Sequence, residues 1–101
     1  MKNFRTYDLA ISFYKQSRSL SLPAHLKDQF ARASSSIALN LAEGRGKRTR
    51  TDQIRFFHIA LGSARECEAI FALNNEMIHL DLADRLDHLV GCICLLIKRA
   101  L

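Results

Sequence analysis

With 101 residues, 49% apolar and 25% charged, the chain fits one globular domain over residues 1–101, small enough that copies would gain by associating. No apolar run approaches the roughly 20 residues of a membrane span. The start Met1-Lys2-Asn3-Phe4-Arg5 lacks the continuous apolar region and cleavage site of a secretory signal, so no membrane partner and a cytoplasmic location are expected. The net charge of +5 is uneven: residues 1–65 hold twelve Lys/Arg against four Asp/Glu, and residues 66–101 three against six. Nucleic acid is therefore the first partner class and an acidic protein the second.

Pro23 and four glycines are the main punctuation, and period-two β-branched runs are absent. This pattern predicts an all-helical chain. A first helix is expected from about Thr6 to Leu20, with Leu9, Phe13 and Tyr14 inward, ending at the Ser21-Leu22-Pro23 turn. A second starts near Ala24 and carries the ladder Leu26, Phe30, Ala33, Ile37, Leu41 at steps of four and three, with Gly44 and Gly46 as its stop signal. The third opens near Thr49 or Thr51, with Asp52 in its first turn, and runs to about Met77. Along it Phe56, Ala60, Ser63, Cys67, Ile70, Asn74 and Met77 form one line, and Phe57, Leu61, Ala64 and Phe71 a second. A fourth begins near Asp81 and presents Leu82, Leu86, Leu89, Val90, Ile93, Leu96 and Ile97. Four amphipathic helices with short links predict an up-and-down antiparallel four-helix bundle. The two lines on the third helix and the apolar run from Val90 to Ile97 predict a homo-oligomer; the alternative is that the third helix is simply the most central.

Beside the ladder of the second helix, Arg32, Ser36, Asn40 and Glu43 follow at steps of four, four and three, a polar stripe that Arg55, Ser63 and Glu66 of the third helix could meet. Such a set reads as a buried hydrogen-bonded network fixing helix register, with catalysis the minor alternative. There is no serine-histidine-carboxylate or cysteine-histidine arrangement, and no enzyme activity or cofactor is expected. Asp84 and His88, with Asp81 and Asp87 nearby, form a solvated acidic face without the Glu-x-x-His pairs of di-iron bundles, so no metal is assigned. His58 reads as a helix-surface histidine. Cys67, Cys92 and Cys94 are odd in number, and their helical setting does not suit joint zinc chelation. They are expected as small buried apolar groups in a reducing compartment.

The strongest local signal is basic. Arg45, Lys47, Arg48, Arg50 and Arg55 gather around the start of the third helix, where free backbone N–H groups and the helix dipole also favour anions. Gly44 to Thr49 is only superficially like a phosphate loop, because Leu41 stands where that motif needs glycine and no strand precedes it. These five residues are the candidate contacts to an RNA or DNA backbone; a solvating or protein-binding loop is the other reading. The loop itself holds no aromatic residue, which argues against base stacking.

Leu22-Pro23, Gln29 to Ala33, the block Ser36-Ile37 to Asn40-Leu41-Ala42-Glu43-Gly44, and Arg55-Phe56 to Ile59-Ala60-Leu61-Gly62-Ser63 with Glu66 together resemble the four-helix-bundle proteins named for the intervening sequences of bacterial 23S ribosomal RNA genes. That family includes accessory proteins of diversity-generating retroelements, and the resemblance covers about residues 7 to 97. Family members often have proline where Ala38 stands, a departure expected to straighten the second helix. The resemblance implies a left-handed bundle assembling as a homopentamer, which would present the basic loop five times and bind RNA or DNA by avidity. For the retroelement members it also implies a reverse transcriptase partner.

Overall fold

The computed structural model describes residues 4–74 and 80–101. Among them the chain is all-helical: α1 (Arg5–Ser17), α2 (Ala24–Arg45), α3 (Arg50–Asn74) and α4 (Leu80–Ala100). Contacts join α1 to α2, α2 to α3, α3 to α4 and α4 back to α1, so the four helices surround one core. The body measures 40 × 22 × 20 Å; its long axis matches the 25 residues of α3 at about 1.5 Å per residue.

Helix α1 buries Thr6, Ala10, Phe13 and Ser17, a line at steps of four, three and four, while Leu9 and Tyr14 flank it half-buried. It ends three residues before the expected Leu20. The Ser17 hydroxyl donates to the Tyr14 carbonyl at 2.9 Å, and the Leu20 N–H turns back to the Ser17 carbonyl at 3.1 Å. Local bonds of this kind compete with the helical ladder.

Helix α2 begins after Pro23, whose carbonyl accepts the Leu26 and Lys27 N–H groups at 2.9 Å. Its whole expected ladder, Leu26, Phe30, Ala33, Ile37 and Leu41, is buried. Ser34 is buried too, at 1% exposure, without an orphaned hydroxyl because it donates to the Ala31 carbonyl at 3.2 Å. Phe30 joins the layers, its ring 6.0 Å from Phe13 and 5.2 Å from Phe71.

Of the two glycines expected to stop α2, Gly46 does so and Gly44 does not. Gly46 follows the last helical residue with φ −83°, in the ordinary right-handed region. Gly44 lies inside α2 and is there for space: a Cβ on it would stand 2.7 and 2.9 Å from the Phe57 ring and 3.2 Å from the Gln53 carbonyl oxygen. The absent side chain is what lets the end of α2 touch the start of α3.

Thr49 caps α3, its hydroxyl oxygen accepting the Asp52 N–H at 3.2 Å. The two apolar lines expected on α3 resolve into one stripe drawn from both. Phe57, Ala60, Ala64, Cys67 and Ile70 are buried, whereas Phe56, Leu61, Ser63, Phe71 and Asn74 lie half-buried on its flanks. Met77, the expected end of this helix, lies outside the described residues. Helix α4 buries Leu86, Leu89, Val90, Ile93 and Ile97, with Leu82 and Leu96 packed against the core. Of the cysteines, only Cys67 is a buried apolar group; Cys92 is half-buried and Cys94 exposed, because the helical period carries positions 92 and 94 off the stripe set by Leu89, Ile93 and Ile97. No helix of the described residues is long and apolar enough to cross a membrane.

Candidate nucleic-acid interface

The basic residues meet where α2 hands over to α3. The close contact at Gly44 leaves only residues 46–49 to make the connection, and the Lys47 N–H closes it by donating to the Gly44 carbonyl at 3.1 Å. Five cations are thereby held around one helix start. Arg45, Arg48, Arg50 and Arg55 are exposed and Lys47 is half-buried. Lys47 pairs with Glu43 at 3.3 Å; among the described residues, Arg45, Arg48, Arg50 and Arg55 have no ion pair. The local excess of positive charge is therefore barely offset, and the first-turn N–H groups of α3 add to it.

Aromatic rings lie beneath these cations. The Arg45 guanidinium sits 4.9 Å from the centroid of Phe4, and Phe4 packs its own ring 6.5 Å from that of Phe57. Lys47 Nζ and the Arg55 guanidinium stand 5.0 and 4.7 Å from the centroid of Phe56. The loop is free of aromatics, as the sequence shows, yet the fold brings Phe56 and Phe4 to it. The helical pattern places Phe56 on an inward line, and Phe4 is more than forty residues away in the chain; only the packing of Phe4 on Phe57, and the turn of α3 that lifts Phe56 off the core, expose the association.

The polar stripe divides. The Ser63 hydroxyl is 2.9 Å from Ser36 Oγ, and the Asn40 amide donates to Ser36 Oγ at 3.0 Å and to the Ser36 carbonyl at 2.9 Å. These three half-buried residues tie α2 to α3. Arg32 and Glu43 are not in that network. Arg32 pairs with Asp28 at 3.1 Å with its side chain 75% exposed, and Glu43 pairs with Lys47. Glu66 is exposed and, with Gln29, Arg32, Ala33, Ser36 and Ser63, lines an open groove between the two helices. The charged ends reach water instead of each other, which spares the desolvation a buried arginine-carboxylate contact would cost.

Cys67 is a fully buried titratable group on α3. Burial, with Glu66 and Glu68 adding negative charge nearby, pushes the Cys67 thiol up from its ordinary 9.0 to about 12, which makes it a poor nucleophile. Cys92 Sγ lies 3.8 Å from His88 Nε2 on the surface of α4. Asp84 and His88 are on that surface too, and Asp81 is paired with Arg85 at 3.3 Å.

No curated protein and no solved structure matches the chain. The family described as the 23S rRNA-intervening sequence protein matches it over residues 4–98, a span that takes in all the cations of the α2–α3 end, the Ser36–Asn40–Ser63 network and Phe4 beneath Arg45. On that match, which covers nearly the whole length, the chain belongs to the 23S rRNA-intervening sequence protein family.

Proposed function

We propose that this protein is a non-enzymatic, cytoplasmic accessory protein that binds the backbone of RNA or DNA through Arg45, Lys47, Arg48, Arg50 and Arg55, and that it does so as a homo-oligomer of up-and-down bundles. The observation carrying the reading is the concentration of five cations around one helix start, four of them without an ion pair among the described residues. Binding to phosphates by such groups releases counterions and falls steeply with salt.

The up-and-down arrangement is supported by which residues meet. Ser36 faces Ser63 and Gly44 faces Phe57, so numbers rise along α2 as they fall along α3. Similarly, Lys15, Gln16, Ser19, Leu20 and Ser21 line a groove with Asp81 and Leu82, while Leu9, Ser12 and Phe13 line one with Asp81, Asp84, Arg85 and His88. Under this topology Arg5 at the start of α1 and Lys98 and Arg99 at the end of α4 join the same basic end. Association between copies is supported by the large apolar side chains left at the surface, Leu39 at 66% exposure, Leu73 at 73%, Leu95 at 48% and Ile59 at 43%. A pentamer, the assembly the family resemblance implies, would repeat the basic end five times and raise affinity through effective concentration.

The test replaces Arg45, Lys47, Arg48 and Arg50 together with Ser. The bundle should stay folded by circular dichroism while RNA or DNA affinity drops. For the unaltered protein, five phosphate contacts predict a loss of roughly 100- to 500-fold in affinity per subunit between about 50 and 200 mM salt. Unchanged affinity in the Ser variant refutes the reading. If no nucleic acid binds near physiological salt but an acidic protein or a reverse transcriptase is retained in pull-down, the basic end serves a protein partner instead.

A further inference from the structure

We propose that Phe56 is a stacking platform for an unpaired base, so that the basic end takes single-stranded nucleic acid in preference to duplex; this rests on the reading of that end as a phosphate-contacting surface. Four described phenylalanines, Phe4, Phe13, Phe30 and Phe57, are buried and have no face to offer. Phe71 is half-buried but packs on Phe30 at 5.2 Å, in the interior. Phe56 alone among them combines partial exposure with a place among the cations.

Its neighbours define what it can bind. Lys47 Nζ and the Arg55 guanidinium stand 5.0 and 4.7 Å from its centroid, drawn by the negative π-face of the ring. A cation held this way at an exposed site is weakly fixed, and the Arg55 side chain is exposed. A flat nucleobase can take the place of the Arg55 guanidinium on the ring, and the displaced guanidinium, with the Lys47 ammonium that Glu43 holds at 3.3 Å, is then beside the phosphates on either side of that base. One nucleotide thus meets a ring for its base and two cations for its backbone. This combination of a stacking surface with a cationic track is what sequence-tolerant single-strand binding requires. A duplex keeps its bases stacked inside and gives the ring nothing, so only the cations engage it. The other aromatics of this end are placed differently: Phe4 is 3% exposed with Arg45 above it, and the half-buried Tyr7 ring is stacked on Phe4 at 6.1 Å with no cation beside it among the described contacts.

The experiment compares a short fluorescent oligoadenylate RNA with an RNA duplex of equal length by anisotropy, for the unaltered protein, Phe56→Leu, Phe56→Trp and the quadruple Ser variant. Phe56→Leu should weaken single-strand binding about fivefold or more, the loss expected for one base-aromatic stack. Duplex affinity should stay the same, and Phe56→Trp should restore single-strand binding and show tryptophan quenching on saturation. Equal affinity of Phe56→Leu and the unaltered protein for the single strand overturns the proposal, as does an equal loss on both probes. A change in sedimenting mass on Phe56→Leu also overturns it, by assigning the ring to a contact between copies. If the quadruple Ser variant binds both probes as tightly as the unaltered protein, the phosphate reading itself fails; if only Phe56→Leu is silent, the platform alone does.

Discussion

Replacing Gly44 with alanine sets two effects of opposite sign against each other at one position. In a helix interior alanine is favoured over glycine by about 1 kcal/mol, because glycine loses more backbone freedom on folding. At Gly44, however, the new Cβ would stand 2.7 and 2.9 Å from the Phe57 ring and 3.2 Å from the Gln53 carbonyl oxygen, distances at which something must move. The ring is 5% exposed and wedged against Phe4 at 6.5 Å, and the carbonyl belongs to the backbone of α3. Overpacking of a filled core costs about 1 to 3 kcal/mol, and here two neighbours must yield together, so the upper part of that range applies. The net expectation is a destabilisation of about 1 to 2 kcal/mol, or a fall in Tm of roughly 5 to 15 °C for a domain of this size. Gly62 is the internal control: it is helical and exposed, with nothing within 4 Å of the added Cβ, so Gly62→Ala should stabilise by up to about 1 kcal/mol. Urea titrations followed by circular dichroism, at matched protein concentration because association shifts apparent stability, would compare the two. A Phe57→Leu background, which makes room, should reduce the cost of Gly44→Ala. A Gly44→Ala protein as stable as the unaltered one, or an undiminished cost in the Phe57→Leu background, would refute the close-contact explanation.

Ile93 is fully buried on α4, and Ile93→Ala should cost about 2 to 5 kcal/mol in the same titration from lost burial and the cavity left behind. A cost below about 1 kcal/mol would mean that the core is not packed around it. The Cys67 thiol is raised from 9.0 to about 12, so the unfolded chain gives up its proton first as pH rises. This contribution to stability is whole below pH 9.0 and is lost toward pH 12 at about 1.4 kcal/mol per pH unit. The alkaline decline in urea midpoint should be shallower in Cys67→Ala, and an identical slope would refute the assignment; a thiol reagent at neutral pH should modify exposed Cys94 readily and Cys67 only after unfolding.

The ladder of α2 was legible because its five residues keep one helical face and Pro23 marks where it starts. The sequence narrowed the cap of α3 to Thr49 or Thr51, and the Asp52 N–H donating to the Thr49 hydroxyl decides between them. Helix α3 was less legible. Phe56 and Phe57 are adjacent aromatics, and sequence alone assigns both inward; the neighbouring helices cover one and leave the other half-buried at the cations. Gly44 shows the same limit from the other side: glycine near a helix end reads as a terminator, and only the position of Phe57 shows that it is a contact. Within the polar stripe, Ser36, Asn40 and Ser63 are short enough to meet only each other across α2 and α3, whereas Arg32, Glu43 and Glu66 are long enough to reach solvent. Their spacing was visible in the sequence; the side on which their charged ends come to rest depends on that reach and on the groove between the helices.

Packing accounts for Gly44, Phe57 and Thr49, and it does not account for the arginines. A four-residue connection between two helices needs small or polar residues, not four cations between positions 45 and 50. Arg45, Lys47 and Arg55 gain the rings beneath them, but the charges also oppose one another: two like charges about 10 Å apart in water repel by roughly 0.4 kcal/mol, and several such pairs at one end sum to a few kcal/mol at low salt, fading as screening sets in at about 8 Å under physiological conditions. Lys47 alone gains a carboxylate, in Glu43. The two helix ends act in opposite directions: the C-terminal end of α2 favours Arg45 in its last turn, whereas the first turn of α3 disfavours cations such as Arg50, since a helix start favours anions. The arrangement therefore carries a repulsive cost in the isolated bundle that an anion would offset, so polyphosphate or oligonucleotide should raise Tm, the increase growing with the logarithm of its concentration above Kd. A feature the fold bears at a cost, placed where Gly44 holds two helices in contact, supports the proposal that this end binds an anion.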